Sequence, residues 1–482
     1  MLEKERNIKT THILQHNAIP IQIQQLTDNR ENLITMHHSS PSAPPSTPPS
    51  MSVPRDQTKA TRSVLLTTLF FSLLFLVSFY STSSSSRRSI DSQTQSDPFL
   101  FPTRPAFPSK IPSHPAPPSL AYLISGSAGD AARIVRLLHA VYHPKNQYLL
   151  HLDRSAPQAE RDSLAVTIES VPVFRAAQNV DVIGKADFSY PAGSTSISST
   201  LHGASILLKL SKNWDWFINL NAADYPLIKQ DDLLHILSYM PKELNFVNHT
   251  SYLDWRDSSR MKRIIVDPGL YLSEQNPMFY VSQKRQLPNA FRLFSVSVPW
   301  QMCKIFAQLW AEGSAVVILS RNFVEFCILG TDNLPRTLLM YLSNTPSSFP
   351  NYFPTILCNS HQFNKTVIND SLLYVACDKP SKQNCTLNST EFDDMIQSGA
   401  IFASQFQFDD PVLDRIDREI LNRSPGNVVP GGWCLGEPGN NTCSVWGDAD
   451  ILRPGPGSRR LENRLIEMFS GGNFRSQQCI LE

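Results

Sequence analysis

An α/β body built on a largely parallel sheet, behind a single transmembrane helix and a disordered stalk, is the architecture this sequence predicts. Three observations carry it. From Leu120 to Val247, short apolar strand-like runs alternate with runs of helical spacing. One uncharged apolar run, Val64–Tyr80, stands ahead of them with Pro/Ser-rich sequence on both sides. The chain has 482 residues, 41% of them hydrophobic, which is ample for a well-buried core. Lys plus Arg (43) almost cancel Asp plus Glu (42), so the basic excess that a nucleic-acid partner demands is missing.

The front end comes first in the chain. At 1.5 Å per residue, Val64–Tyr80 reaches roughly 26 Å, enough to cross a thin early-secretory bilayer. Arg55, Lys59 and Arg62 precede it against Asp56 alone, so the positive-inside rule sets the orientation. Residues 1–62 read as a disordered cytosolic tail, 63–80 as a signal-anchor, and 81–119 as a luminal Pro/Ser-rich stalk. The competing reading is a cleaved signal peptide with translation from Met51. The length of the run and the lack of an A-x-A-like site weigh against it.

The body occupies 120–482. Ala121–Ser125 reads as a strand, Ala131–Tyr142 as a helix ended by Pro144, and Gln147–Leu152 as a second strand. A polar helix through Arg161 and Leu164 follows, then a strand at Val180–Ile183 and a helix around Leu201–Leu210. Trp216–Leu220 is an aromatic strand. After the NAADYP turn come a helix near Asp231–Met240 and a strand at Leu244–Val247. Open parallel sheets bind ligands at the carboxyl ends of their strands, which singles out Ser125–Asp130, Asp153 and Asn221–Asp224. Asp153 suits a helix cap as well as a ligand contact, and Asp224 suits a turn as well as a ligand contact. The Ser125–Gly129 turn is no dinucleotide fingerprint.

All eight cysteines lie beyond the apolar run, which suits disulfides in an oxidising compartment. Cys434 and Cys443 flank the turn-rich LGEPGNNT and are the expected pair; no spacing supports zinc. N-x-S/T triplets stand at Asn248, Asn364, Asn369, Asn384, Asn388, Asn422 and Asn440.

Longer strings carry a resemblance. AYLISGSAGDAARIVRLLHAVYHPKNQYLLHLD and WDWFINLNAADYPL resemble the opening of the core-2/I-branching β-1,6-N-acetylglucosaminyltransferase family, glycosyltransferase family 14. FVNHTSYL, IIVDPGLY, LSRNFVEFCI, DNLPRTLLMY and PGGWC…CSVWGDADILRPG resemble its plant branch, associated with β-glucuronosyl transfer to arabinogalactan. The resemblance covers nearly all of 120–482. It implies a GT-A-like, inverting transferase that uses a UDP-sugar donor and a glycan or glycoprotein acceptor, anchored in the Golgi as a single-pass type II protein.

What the resemblance implies for residues is specific. Donor contacts map onto Ser125, Asp153, Lys185, Tyr190 and Asp224. No D-x-D string follows the aromatic strand, and Asp448/Asp450 reads as a turn, so no metal cofactor is expected. Arg453, Arg459 and Arg460 are the candidates for the diphosphate, with solvated charge as the plainer reading of the last two. Trp255, Arg256 and Arg260 are the acceptor candidates, in a stretch that also reads as a solvated loop. Two departures stand out. The family's Glu before the helix at Tyr352–Asn359 is replaced by Pro350 and Asn351, leaving Asp332 and Asp224 as substitute bases. Val296–Glu312 reads as an insertion, a retained intron in the gene. Transfer of N-acetylglucosamine is the alternative activity, and a non-catalytic glycan-binding relative is the alternative of another class. A hydrolase would need a paired-carboxylate or Ser/His constellation that the sequence does not show.

Overall fold

A computed structural model describes residues 115–190, 193–250, 255–271, 279–294, 316–375, 387, 389–437, 442–470 and 479. They all belong to one compact unit, Ala106–Glu482. The apolar run Val64–Tyr80, the stalk up to residue 114 and the segment 296–312 lie outside them. Among the described residues no helix is long and apolar enough to cross a membrane.

The expected alternation is present. β1 (Leu120–Gly126), α1 (Ala131–Val141), β2 (Gln147–Leu152), α2 (Gln158–Ser170), α3 (Pro172–Ala177) and β3 (Val180–Val182) follow in order. Next come α4 (Thr195–Leu210), β4 (Trp216–Asn221), β5 (Asp224–Pro226), α5 (Gln230–Leu237) and β6 (Asn245–Phe246). α6 (Trp255–Met261) leads into the ribbon β7 (Arg263–Val266) and β8 (Phe279–Lys284). Then β9 (Ile318–Ser320) precedes three helices, α7 (Arg321–Leu329), α8 (Leu334–Leu342) and α9 (Phe349–Asn359). The remainder is β10 (Val367–Ile368), β11 (Leu373–Val375), α10 (Phe392–Gln397), β12 (Phe402–Ser404), α11 (Pro411–Ile416) and α12 (Pro456–Phe469).

The main sheet has the order β10-β6-β9-β4-β1-β2-β3. Its pairs are parallel except at β9, which runs antiparallel to both neighbours. β1 lies between β2 and β4, with Ser125 opposite both His151 and Asn221. Side chains alternate across it. Tyr122 and Ile124 pack into the layer of α1 with Ile134, Leu137 and Leu138, while Ala121 and Leu123 pack into the layer of α4 with Ile197 and Leu207.

Two local readings change. The turn at Asp224 is a short strand, because β5 pairs antiparallel with β12. α4 starts at Thr195, not near Leu201: its polar opening TSISST lacks an apolar stripe, and the partner that fixes the helix start, Asp267, stands just after β7.

The C-terminal segment belongs to the Leu120 end of the sheet. Gln230 at the start of α5 accepts from Tyr122 Oη (2.9 Å) and from Asn146 Nδ2 (3.1 Å), and Asn146 Oδ1 accepts from Leu120 N (3.0 Å). The main-chain N–H groups of Gly432 and Arg453 both donate to Asp231 Oδ2 at 2.7 Å, and that of Gly455 donates to Asp232 Oδ1. Buried Trp433 packs edge-on against Tyr142, and Cys434–Cys443 closes the adjacent hairpin with an S–S distance of 2.04 Å.

α4 crosses β1 at Gly203, where a Cβ would stand 2.7 Å from both Leu123 methyls. Gly203→Val should therefore lower stability by about 2 kcal/mol through overpacking. The check is a urea titration with a reduced midpoint and an unchanged slope. With Leu123→Val added, the loss should be smaller than the sum of the two single changes.

Candidate active site

The carboxyl ends of β1, β2, β3 and β4 form one rim, and its loops are fixed by carboxylates that accept from main-chain N–H groups. β1 ends on Gly126, where a Cβ would meet Asp130 Cβ at 2.8 Å, so the chain can turn only with glycine there. Asp130 Oδ2 accepts from Ser127 N (2.9 Å) and Ser127 Oγ (3.0 Å). Glu160 accepts from Gly129 N (3.0 Å) and Ala131 N (3.2 Å), satisfying N–H groups that the start of α1 would leave orphaned.

Asp153, at the end of β2, is 5% exposed. Its Oδ1 accepts from Ser155 N at 2.6 Å, and its Oδ2 accepts from Ser189 N, which ties the β2 end to the loop after β3. That loop carries Lys185, exposed, and Tyr190, half-buried. Tyr190 N donates to Thr195 Oγ1 at 2.9 Å. At the end of β4, Asp224 is 1% exposed; it accepts from Asn221 N (2.7 Å) and from the Ser404 hydroxyl on β12.

A shallow recess opens beside this rim, lined among others by Arg133, Ala222, Asp224, Phe406 and Phe408. Arg133 Nη2 donates to Phe406 O at 2.8 Å. Beneath it, Tyr225 Oη donates to Asp417 Oδ1 (2.6 Å) and accepts from Arg423 Nη2 (2.9 Å). Asp417 also takes Arg423 and Arg136 at 2.6 and 2.8 Å. This buried ion pair is satisfied on every side, which is the condition under which such a pair is tolerated. It pins the segment after β12 to α1 and β5.

The predicted residues divide between two ends of the sheet. Ser125, Asp153, Lys185, Tyr190 and Asp224 share the rim. Arg453, whose N–H meets Asp231 toward the Leu120 end, and Arg459 are exposed, while Arg460 Nη2 donates to Leu227 O (3.2 Å) just past β5. Five residues of strand, about 16 Å, separate that end of β1 from Ser125. The Asp448/Asp450 string closes a turn, Asp450 N donating to Asp448 Oδ1 (2.9 Å), and Asp450 pairs with Lys145.

Asp332 is exposed and caps α8 by accepting from Leu334 N at 2.7 Å. Pro350 and Asn351 are buried in the first turn of α9, where Asn351 Nδ2 donates to Ser347 O (3.0 Å). Arg260 stands in the last turn of α6, which begins at Trp255 and Arg256. Of the triplet asparagines, Asn422 is exposed, Asn364 is half-buried, and Asn248 Nδ2 donates to Ser371 Oγ (3.2 Å). Asn369 exchanges two hydrogen bonds with the His249 main chain (2.7 and 2.9 Å). Asn384, Asn388 and Asn440 lie outside the described residues.

Sequence reasoning passed over Arg154, exposed directly after Asp153, whose N–H donates to Asp187 O at 3.0 Å. It also missed Phe406 and Phe408; no periodicity marks a loop aromatic. Among the described residues, His249, Cys358 and Cys479 are near enough to share a metal ion, but Cys358–Cys479 is a disulfide, which leaves His249 as the one free ligand.

Residues 120–396 match the Core-2/I-Branching enzyme family. Beta-glucuronosyltransferase GlcAT14A of Arabidopsis thaliana is 49% identical over 375 residues, covering 77% of this chain and 80% of the relative. Beta-glucuronosyltransferase GlcAT14C of the same plant is 42% identical over 362 residues, covering 75% and 85%. Xylosyltransferase 1 of Rattus norvegicus is 26% identical over 257 residues, covering 53% of this chain and 28% of the relative. The chain belongs to the Core-2/I-Branching enzyme family. It is a glycosyltransferase.

Burial pushes the His249 imidazole down to about 4 from 6.5. At the opposite end burial pushes His143 down to about 3, helped by nearby Lys145 and opposed by Asp450. Both fold neutral, so their contribution is complete above pH 6.5 and is lost as pH falls toward the folded values. Between pH 7 and pH 5 each should cost about 2 kcal/mol of stability. In urea titrations across that window, His249→Gln should flatten the pH dependence by up to one proton.

Proposed function

We propose that this glycosyltransferase moves glucuronosyl from UDP-glucuronic acid to arabinogalactan-type glycans, inverting the anomeric centre. The observation that carries the reading is the 49% identity, over most of the catalytic body, to a protein named for beta-glucuronosyl transfer. The arrangement is GT-A-like, with the donor at the carboxyl rim of the parallel strands, where open α/β sheets take their ligands. Transfer takes place in the Golgi lumen, with Val64–Tyr80 as the type II anchor.

Each part of the rim has a task. Ser125 and the Gly126 turn let the nucleotide approach the β1 main chain. Lys185 and Arg154, both exposed beside the Asp153 bridge, supply positive charge to the diphosphate. Arg453 and Arg459, on the segment that Asp231 and Asp232 hold toward the Leu120 end, are not assigned that task. The leaving group needs no divalent cation in this reading, because Lys and Arg offset its charge and the Asp224 carboxylate is taken up by Asn221 N and Ser404. For the same reason Asp224 shapes the β4–β5 corner and is not the base that deprotonates the acceptor hydroxyl.

The test is purified full-length protein with UDP-glucuronic acid and UDP-N-acetylglucosamine on arabinogalactan oligosaccharides, read as UDP release and product linkage. Glucuronosyl product should form and persist in strong chelator. Lys185→Ala should raise donor KM about ten- to hundredfold, the loss of one charge-assisted contact, with acceptor KM unchanged. Transfer of N-acetylglucosamine alone, or activity restored only by added manganese, would overturn the corresponding part. Donor binding without transfer to any acceptor would instead fit a glycan-binding role.

A further inference from the structure

The Asp267 carboxylate is wholly buried, yet it lies far along the chain from every residue so far given a role at the rim. It follows β7 and is surrounded by donors from the start of α4. Thr195 N donates to its Oδ2 at 2.9 Å and Thr195 Oγ1 at 3.1 Å, while Gly269 N donates to Oδ1 at 2.9 Å. Two glycines make room for this. A Cβ at Gly193 would stand 2.1 Å from Asp267 Oδ2, and one at Gly269 would stand 2.7 Å from Thr195 Oγ1. A negative charge at a helix start is favourable in itself, so capping α4 is part of what the residue does.

The Thr195 hydroxyl carries a second consequence. A hydroxyl has one proton to give, and an ionised carboxylate can only accept. The Thr195 proton is therefore committed to Asp267, and the lone pairs of Oγ1 are left facing Tyr190 N, 2.9 Å away. Gly193 N donates to Tyr190 O at 2.9 Å, so the Tyr190 peptide is held from both sides. The other end of the same loop is held by Ser189 N on Asp153. Ser194 Oγ further bonds Ser343 O (3.1 Å), which joins the helix start to the end of α8.

We infer that Asp267 is a positioning residue for the donor: through Thr195 it sets the main chain of Tyr190 and the loop from Lys185 that closes on the UDP-sugar. This role presupposes the donor reading proposed above. A buried carboxylate with fixed donors is well suited to it, because preorganised polar contacts cost no rearrangement when the ligand arrives.

The test compares Thr195→Val, which keeps the shape and the helix N–H bond to Asp267 but removes the acceptor for Tyr190 N, with Thr195→Ser, which restores it. Detergent-solubilised full chain is titrated calorimetrically with UDP, and KM is measured for UDP-glucuronic acid and for the acceptor separately. Thr195→Val should weaken UDP binding and raise donor KM about three- to tenfold, with acceptor KM unchanged and Thr195→Ser within about twofold of the parent. If Thr195→Val does not fold, Thr195→Cys, with a weakly accepting sulfur, serves the same comparison. Tyr190→Ala and Lys185→Ala separate the two levels. If both leave UDP binding intact, the donor loop is misassigned. If they weaken it while Thr195→Val binds like the parent, or if Thr195→Val raises both KM values equally, the positioning role of Asp267 is overturned.

Discussion

A buried carboxylate must be met by donors, and at the carboxyl rim of this sheet the donors are main-chain N–H groups. Asp130, Asp153, Asp224 and Asp267 each accept at least one such bond, and Glu160 does the same at the start of α1. Some of these acids also reach far along the chain: Asp153 holds Ser189, and Asp267 holds Thr195. The strands could exist without these carboxylates, but the loops at their ends would have no fixed path. The rim is therefore a rigid platform whose acids are spent on architecture, with Lys185 and Arg154 left exposed on it.

That division of labour changes how the chemistry is distributed. Asp224 already accepts from Asn221 N and from the Ser404 hydroxyl, so the proposal above gives it the β4–β5 corner and not the acceptor proton. The first turn of α9 offers no carboxylate, because buried Pro350 and Asn351 stand there. The main chain of the C-terminal segment is fixed by acids in the same way. Asp231 and Asp232 collect Gly432, Arg453 and Gly455 by their main chains, so the loop carrying the Cys434–Cys443 disulfide closes the Leu120 end of the sheet. One end of the sheet is sealed by this segment, and the other carries the rim.

Much of this was legible in the sequence. The strands β1, β2 and β4 announce themselves as apolar runs, α1 shows its stripe of Ile134, Leu137 and Leu138, and the polar strand ends pointed to Ser125, Asp153 and Asp224. The Cys434–Cys443 pair was readable from its nine-residue separation, whereas Cys358–Cys479, 121 residues apart, was not. What was not legible depends on partners distant in the chain. β5 looks like a turn because β12, which makes it a strand, lies about 180 residues on. The Arg136–Asp417–Arg423 cluster spans three elements, and no spacing foretells it. Arg453, Arg459 and Arg460 carry the right charge for a diphosphate, but no spacing shows that Asp231 and Asp232 on α5 hold the main chain of their segment.

Hydrogen–deuterium exchange of the full chain, with and without saturating UDP, tests the central claim most directly, because it reports which end of the sheet the nucleotide covers. Peptides spanning Ser125–Asp130 and Lys185–Thr195 should gain protection, while those spanning Arg453–Arg460 exchange at the same rate in both states. Protection confined to Arg453–Arg460, with the rim unchanged, would contradict the account.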